Sequence, residues 1–348
     1  MTYRSKASNY EIPNFEPYNE IKNGQCFYRA LFSVLKHFGV DVMNLLCNNV
    51  YYYEFIHALE SAESGIYNDY LGLRECRGMN YSDLLLKSGI TMKQFSDVHD
   101  LTQKIIYAID KNCPVIIYID CFYEPIRVDA YNKIHITHSI TIFGYDIEKE
   151  VFNIIEHDYV NGFIYKKQTL SFSDIENSYR GFVEAGNKDI STYFEFKHDL
   201  IDDANWNYNT TFMHNYLHNA DRIAQGINDL ESFLTNYYLN KKDEMHVESE
   251  SFNFVDLSSR KILRNHKMRN FAVSSVFKEN IAIIDLITQI TNDWFQVMAL
   301  FTKYKVSTAP NKKLSVDKCA ENLCRILENE KAIHQKIIEY CKVKLVQE

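Results

Sequence analysis

The chain of 348 residues is 46% hydrophobic and 24% charged, with 11 Gly and 5 Pro, a composition that excludes disordered, collagen-like and low-complexity chains. The net charge of −8 arises in residues 1–200 (19 Lys and Arg against 27 Asp and Glu), while the last 98 residues carry 16 basic against 10 acidic. That basic excess is too dilute for a nucleic-acid binder, and no run approaches the ~20 apolar residues that span a membrane.

The opening Met1-Thr2-Tyr3-Arg4-Ser5-Lys6 is polar, so no secretory segment is expected and the cytoplasm is the expected compartment. There the eight cysteines, which form no CxxC pair or metal-ligand spacing, should stay reduced. Downstream, Cys26–Phe38 places Ala30, Leu31, Val34, Leu35 and Phe38 on one stripe, which predicts a helix, and Gly39 supplies its stop. Leu101–Asp110 reads as a helix and Pro114–Ile119 as a β-branched strand. Ile136–Tyr145, Val151–His157 and Gly162–Tyr165 follow as strands, the first two joined by the polar turn Asp146–Glu150, so an antiparallel meander behind a helical front is expected. Beyond residue 200 the helical spacing of Asn215–Leu239, Phe271–Tyr304 and Val316–Leu345 predicts a bundle, with Pro310 in a break at Ser307–Lys313. The expected fold class is therefore α+β, with one domain over 1–200 and an α-helical domain over 201–348.

Cys26 stands at the first turn of the first long helix, preceded by Asn23-Gly24-Gln25. Free N–H groups and the helix dipole favour a thiolate there, and the same groups can receive an oxyanion with help from Gln25. A thiolate nucleophile needs a base, and a His on a strand oriented by a carboxylate from the next strand supplies one. His138 begins such a strand, and Asp158 closes the following one with Glu156 on the same face; either acid could orient His138, without His157. His135 and His157 are rival bases, and the other seven cysteines read as inert.

Gln25-Cys26-Phe27-Tyr28-Arg29-Ala30-Leu31, His138-Ser139-Ile140-Thr141-Ile142-Phe143-Gly144-Tyr145-Asp146 and Phe152-Asn153-Ile154-Ile155-Glu156-His157-Asp158 occur in the order of three blocks of the butirosin biosynthesis protein H family, and the first 170 to 200 residues resemble it. The resemblance implies a papain-like (C39-like) cysteine protease fold and a catalytic set of Cys26, His138 and Asp158. It further implies an acyltransferase, an amide synthetase of secondary-metabolite, non-ribosomal peptide-like (antibiotic) biosynthesis. Such an enzyme takes an acyl group from the phosphopantetheine thioester of an acyl or peptidyl carrier protein and passes it through an acyl-cysteine to a small-molecule amine. No bound cofactor, metal, nucleic acid or membrane enters that expectation. One position departs: peptidases of this fold carry an oxyanion Gln six residues before the Cys, and Glu20 stands there. That weakens the alternative, a cysteine peptidase or amidase hydrolysing a peptide or small amide, more than it weakens transfer from an activated thioester. Tyr51-Tyr52-Tyr53 and Phe122-Tyr123 are candidates to wall a dry acyl tunnel, and Arg260, Lys261, Arg264, Lys267 and Arg269 to dock an acidic carrier.

Overall fold

Short β-branched and aromatic runs bounded by tight turns are what antiparallel pairing selects, and such runs form the main sheet of this chain. The computed structural model describes residues 5, 7–21, 26–56, 70–158, 164–199, 207–247 and 249–347, those at 309 and 310 by their backbone alone. It is an α+β protein with two compact units: one formed by Met1–Asn44 and Asn80–Trp206, the other by Leu45–Met79 and Asn207–Glu348. This differs from a single cut at residue 200, because Leu45–Met79 belongs with the helical unit.

In the first unit β1 (Asn9–Glu11), β4 (Ile90–Phe95), β5 (Val115–Asp120), β6 (Thr137–Asp146), β7 (Val151–Asp158), β8 (Ile164–Ser171) and β9 (Tyr193–His198) form one antiparallel sheet in the order β4-β9-β5-β6-β7-β8. β1 adds to β6 where β5 leaves it. The meander β6-β7-β8 is the expected one, with Glu150 at φ +53° turning the first link. α1 (Cys26–His37) is buried nearly all round. Its start is pinned by Phe27 against Tyr118 of β5 and Phe194 of β9 (ring centroids 5.7 and 4.8 Å), and by the Thr141 hydroxyl donating to Ala30 O at 3.2 Å. Gly39, at φ +70°, ends the helix, and the Val40 N–H reaches back to Leu35 O at 2.9 Å. α3 (Tyr81–Lys87), α4 (Leu101–Ile109) and α5 (Phe172–Glu184) complete this unit, and α2 (Met43–Leu46) is a single turn at the boundary.

The second unit is built on a hairpin of β2 (Asn49–Ile56) and β3 (Tyr70–Arg77). Around it run α6 (Tyr208–His218), α7 (Ala220–Ser232), a π-helical turn Phe233–Leu239, α8 (Glu250–Val276), α9 (Ile281–Val306) and α10 (Ala309–Gln347). Pro310 falls in the first turn of α10, a position that needs no backbone N–H, so the break is shorter than expected. Tyr51, Tyr52 and Tyr53 pack in this unit's core, the Tyr53 hydroxyl donating to Glu330 at 2.7 Å. Of the basic run, Arg269 is buried against Glu330 and Arg260 is paired with Asp256. No helix among the described residues is long and apolar enough to cross a membrane.

Candidate active site

Cys26 is the first residue of α1, and its thiol hydrogen-bonds to the imidazole of His138. His138 sits near the start of β6, directly across from Ile119 of β5, and is buried to 2% exposure. Its Nε2–H donates to both oxygens of Glu156, at 2.9 and 3.0 Å. With Nε2 so engaged, Nδ1 is the nitrogen left to exchange a proton with the thiol.

Glu156, not Asp158, is the carboxylate on His138. The β6–β7 ladder ends at Thr141 opposite Ile155, so His138 and Glu156 lie just beyond it, and the wholly buried Glu156 side chain can reach diagonally across. Asp158 instead forms an ion pair with Lys166 of β8 at 3.0 Å. The Glu156 carboxylate is fixed by a third donor, the His157 backbone N–H at 2.7 Å from Oε1. Burial opposes its charge, but the imidazole beside it and these hydrogen bonds hold its pKa below the ordinary carboxyl value. Reciprocally, burial alone would lower the His138 imidazole. The Glu156 charge and the bonds to Cys26 and Glu156 outweigh burial and raise it to about 10. A base that holds a proton this firmly beside a thiol favours a thiolate–imidazolium pair.

The rival histidines separate. His135 is exposed, stacked on Phe122 (4.4 Å) and bonded through Nδ1 to Asp120 at 2.5 Å. His157, expected on the opposite face, has its ring 5.7 Å from that of His138, in the stretch of β7 that no longer pairs with β6. Its Nε2 accepts from Arg29 Nη1 at 2.9 Å, and burial with its cationic neighbours lowers its pKa to about 4, so it is a neutral spacer at pH 7. Arg29 in turn lies 4.1 Å above the Tyr165 ring, and both residues are within electrostatic reach of Cys26.

Donor atoms of His138, Glu156 and His157 all lie within 4.8 Å of one another, close enough to share a metal ion. The donor chemistry fits poorly. Arg29 bonding His157 Nε2 puts that ring's proton on Nδ1, and the Arg29 and Arg127 guanidiniums that depress His157 would repel a divalent cation.

Gln25 and Gly24 lie outside the described residues, so the backbone of Cys26 is the part of the expected oxyanion donor set that the structure describes. Glu20 is exposed, with one long contact from the Tyr18 hydroxyl at 3.5 Å. Sequence reasoning missed Arg29, Arg127, Tyr165 and Glu124. Only Arg29 carries a signal, a charge amid the apolar residues of the expected helix. Comparison with models of known protein families finds no match, and comparison with curated proteins finds none either.

Proposed function

We propose that the first unit is a papain-like cysteine acyltransferase that uses Cys26, His138 and Glu156 as nucleophile, base and orienting carboxylate. The observation that carries this reading is the hydrogen-bonded chain from the Cys26 thiol at a helix start, through a buried imidazole, to a buried carboxylate gripping its far nitrogen. Cys26 thiolate attacks the carbonyl of a carrier-bound thioester. The carbon–sulfur bond to pantetheine breaks, and the departing thiolate takes the proton from His138. An amine then attacks the acyl-cysteine, its proton passes to His138, and the bond to Cys26 breaks as the amide forms. Glu156 stays ionised throughout and stabilises the imidazolium.

Transfer is favoured over hydrolysis by Glu20, which stands where a peptidase carries its oxyanion amide and cannot donate as a carboxylate. A thioester needs less of that assistance than an amide does. The test is intact-mass spectrometry after incubation with acetyl, hexanoyl and benzoyl thioesters of N-acetylcysteamine and of phosphopantetheinylated carrier proteins. The expected result is an acyl adduct in the wild type that is absent in Cys26→Ala, slowed in His138→Ala, and discharged by added amine. Cleavage of peptide substrates without adduct transfer to amines would favour the hydrolase; no Cys26-dependent adduct or turnover with any probe would overturn both.

A further inference from the structure

Glu124 follows the 3-10 turn Cys121–Tyr123 at the end of β5, and its side chain is 0% exposed. Among the described residues no N–H or O–H group donates to either of its carboxyl oxygens, and the group beside it is the Cys121 thiol, a weak donor. A buried carboxyl so poorly partnered is uncommon, because nothing replaces the water its charge would lose. Charged and titratable groups face it from the turn itself (Cys121), the loop that follows (Arg127), β6 (His138) and β7 (Glu156). α5 meets the same turn with Gly181 against the Tyr123 ring. Arg127 is already committed, with Nε and Nη2 each 3.1 Å from Asp129 and Nη1 3.0 Å from Cys121 Sγ. The turn is tied to the start of β6 by the Cys121 N–H donating to Ile136 O at 2.9 Å, and Ile119, five residues before Glu124, pairs with His138, so two buried carboxyls lie within electrostatic reach of one imidazole.

We propose that Glu124 is a positioning residue for the His138–Glu156 pair: a neutral buried acid at pH 7 whose ionisation at higher pH adds a second negative charge and holds the His138 imidazolium to more alkaline conditions. The proton released goes to solvent, and no other bond changes. Burial and then the Glu156 charge raise Glu124 to about 8, which accords with this geometry. The role rests on the proposed use of Cys26 as nucleophile.

Alkylation of Cys26 by iodoacetate, followed site by site by mass spectrometry, tests it. The reagent's carboxylate is drawn to the imidazolium, so the rate rises as the thiolate–imidazolium pair forms and falls as His138 loses its proton. In Glu124→Gln the falling limb should lie about one pH unit lower, making alkylation on that limb about tenfold slower than in the wild type. Uncharged iodoacetamide should show no falling limb in either. Coincident falling limbs would overturn the role of Glu124 while leaving Cys26 in place. A Cys26 no more reactive below neutral pH than the thiols of the denatured chain would instead overturn the nucleophile. The wild type alone gives a second readout, free of any folding defect in the variant: the infrared carbonyl stretch of a protonated carboxyl, present at about pH 7 and lost by about pH 9. Its absence at neutral pH would overturn the neutral acid.

Discussion

A single hydrogen-bonded contact distinguishes the two acids that close β7. Glu156 is wholly buried and grips His138, whereas Asp158 reaches Lys166, whose side chain is 45% exposed. In Glu156→Gln the amide cannot offset the imidazolium charge, so acylation of Cys26 should fall by about 10²- to 10⁴-fold. Asp158→Asn weakens its ion pair with the half-exposed Lys166 and leaves the His138–Glu156 contact in place, so acylation should stay within about threefold of wild type. Single-turnover acylation rates of the two variants check the assignment, and a reversed order would return the role to Asp158. Both acids were legible as candidates because they share a strand face, but choosing between them depends on where the β6–β7 ladder stops, which lies in the pairing and not in either strand alone. Glu124 gave no signal, since an acid after a strand reads as an exposed turn residue, and its burial is a tertiary outcome.

At the scale of elements, α1, α4 and the meander were legible because their apolar period is unbroken and their links are short. Of α8, only the last turn and a half, residues 271–276, fell within an expected helix. Its buried residues include Asp256, Ser258, Ser259, His266 and Arg269, so the apolar period that marks a helix is interrupted by partnered polar groups. The β2–β3 hairpin was missed for a different reason: β2 is buried continuously over Asn49–Tyr53 and β3 over Leu71–Leu73, so neither alternates cleanly, and thirteen residues, 57–69, separate them. This hairpin is held close to α7 through Gly226, where a Cβ would stand 2.6 Å from the backbone N and O of Tyr53. Gly226→Ala gains about 1 kcal/mol of helix propensity but must displace a strand backbone, a strain of about 1–3 kcal/mol, and the clash is with main chain that cannot rotate away. Urea denaturation should show a net loss of stability; a gain would mean that α7 shifts freely on the hairpin. Gly39→Ala forces φ +70° on an alanine and should lose about 1 kcal/mol by the same measurement.

On the scale of the molecule, the second unit joins chain segments far apart in sequence through one buried polar network. Glu330 of α10 accepts from Arg269 of α8 at 2.5 and 2.8 Å and from Tyr53 of β2, and His266 lies 3.3 Å away. Trp294 of α9 donates to the Tyr53 hydroxyl at 3.1 Å. Removing the acid in Glu330→Ala strands a buried guanidinium and should destabilise by about 3–5 kcal/mol, read from denaturant unfolding. Burial opposes the Glu330 charge, but Arg269 and the surrounding hydrogen bonds hold its pKa far below the ordinary carboxyl value of 4.5. A depressed folded value means that its contribution is fully present above the unfolded value and is lost as the pH falls below it. The wild type should therefore lose stability on acidification from about pH 5, and the stability gap to Glu330→Ala should narrow along the way; a gap independent of pH would contradict the ion pair.

By itself the sequence determined the fold class, the helix that begins at Cys26, the meander that carries His138, and the helical character of the C-terminal half, because each is written in local periodicity and in the residues that stop it. Only the tertiary structure decided that Leu45–Met79 belongs with the helices, that Glu156 and not Asp158 serves His138, that His157 stands beside that pair, and that Glu124 is buried within electrostatic reach of it. Those outcomes depend on where ladders end and which loops fold inward, contacts between residues tens to hundreds of positions apart that no local period encodes.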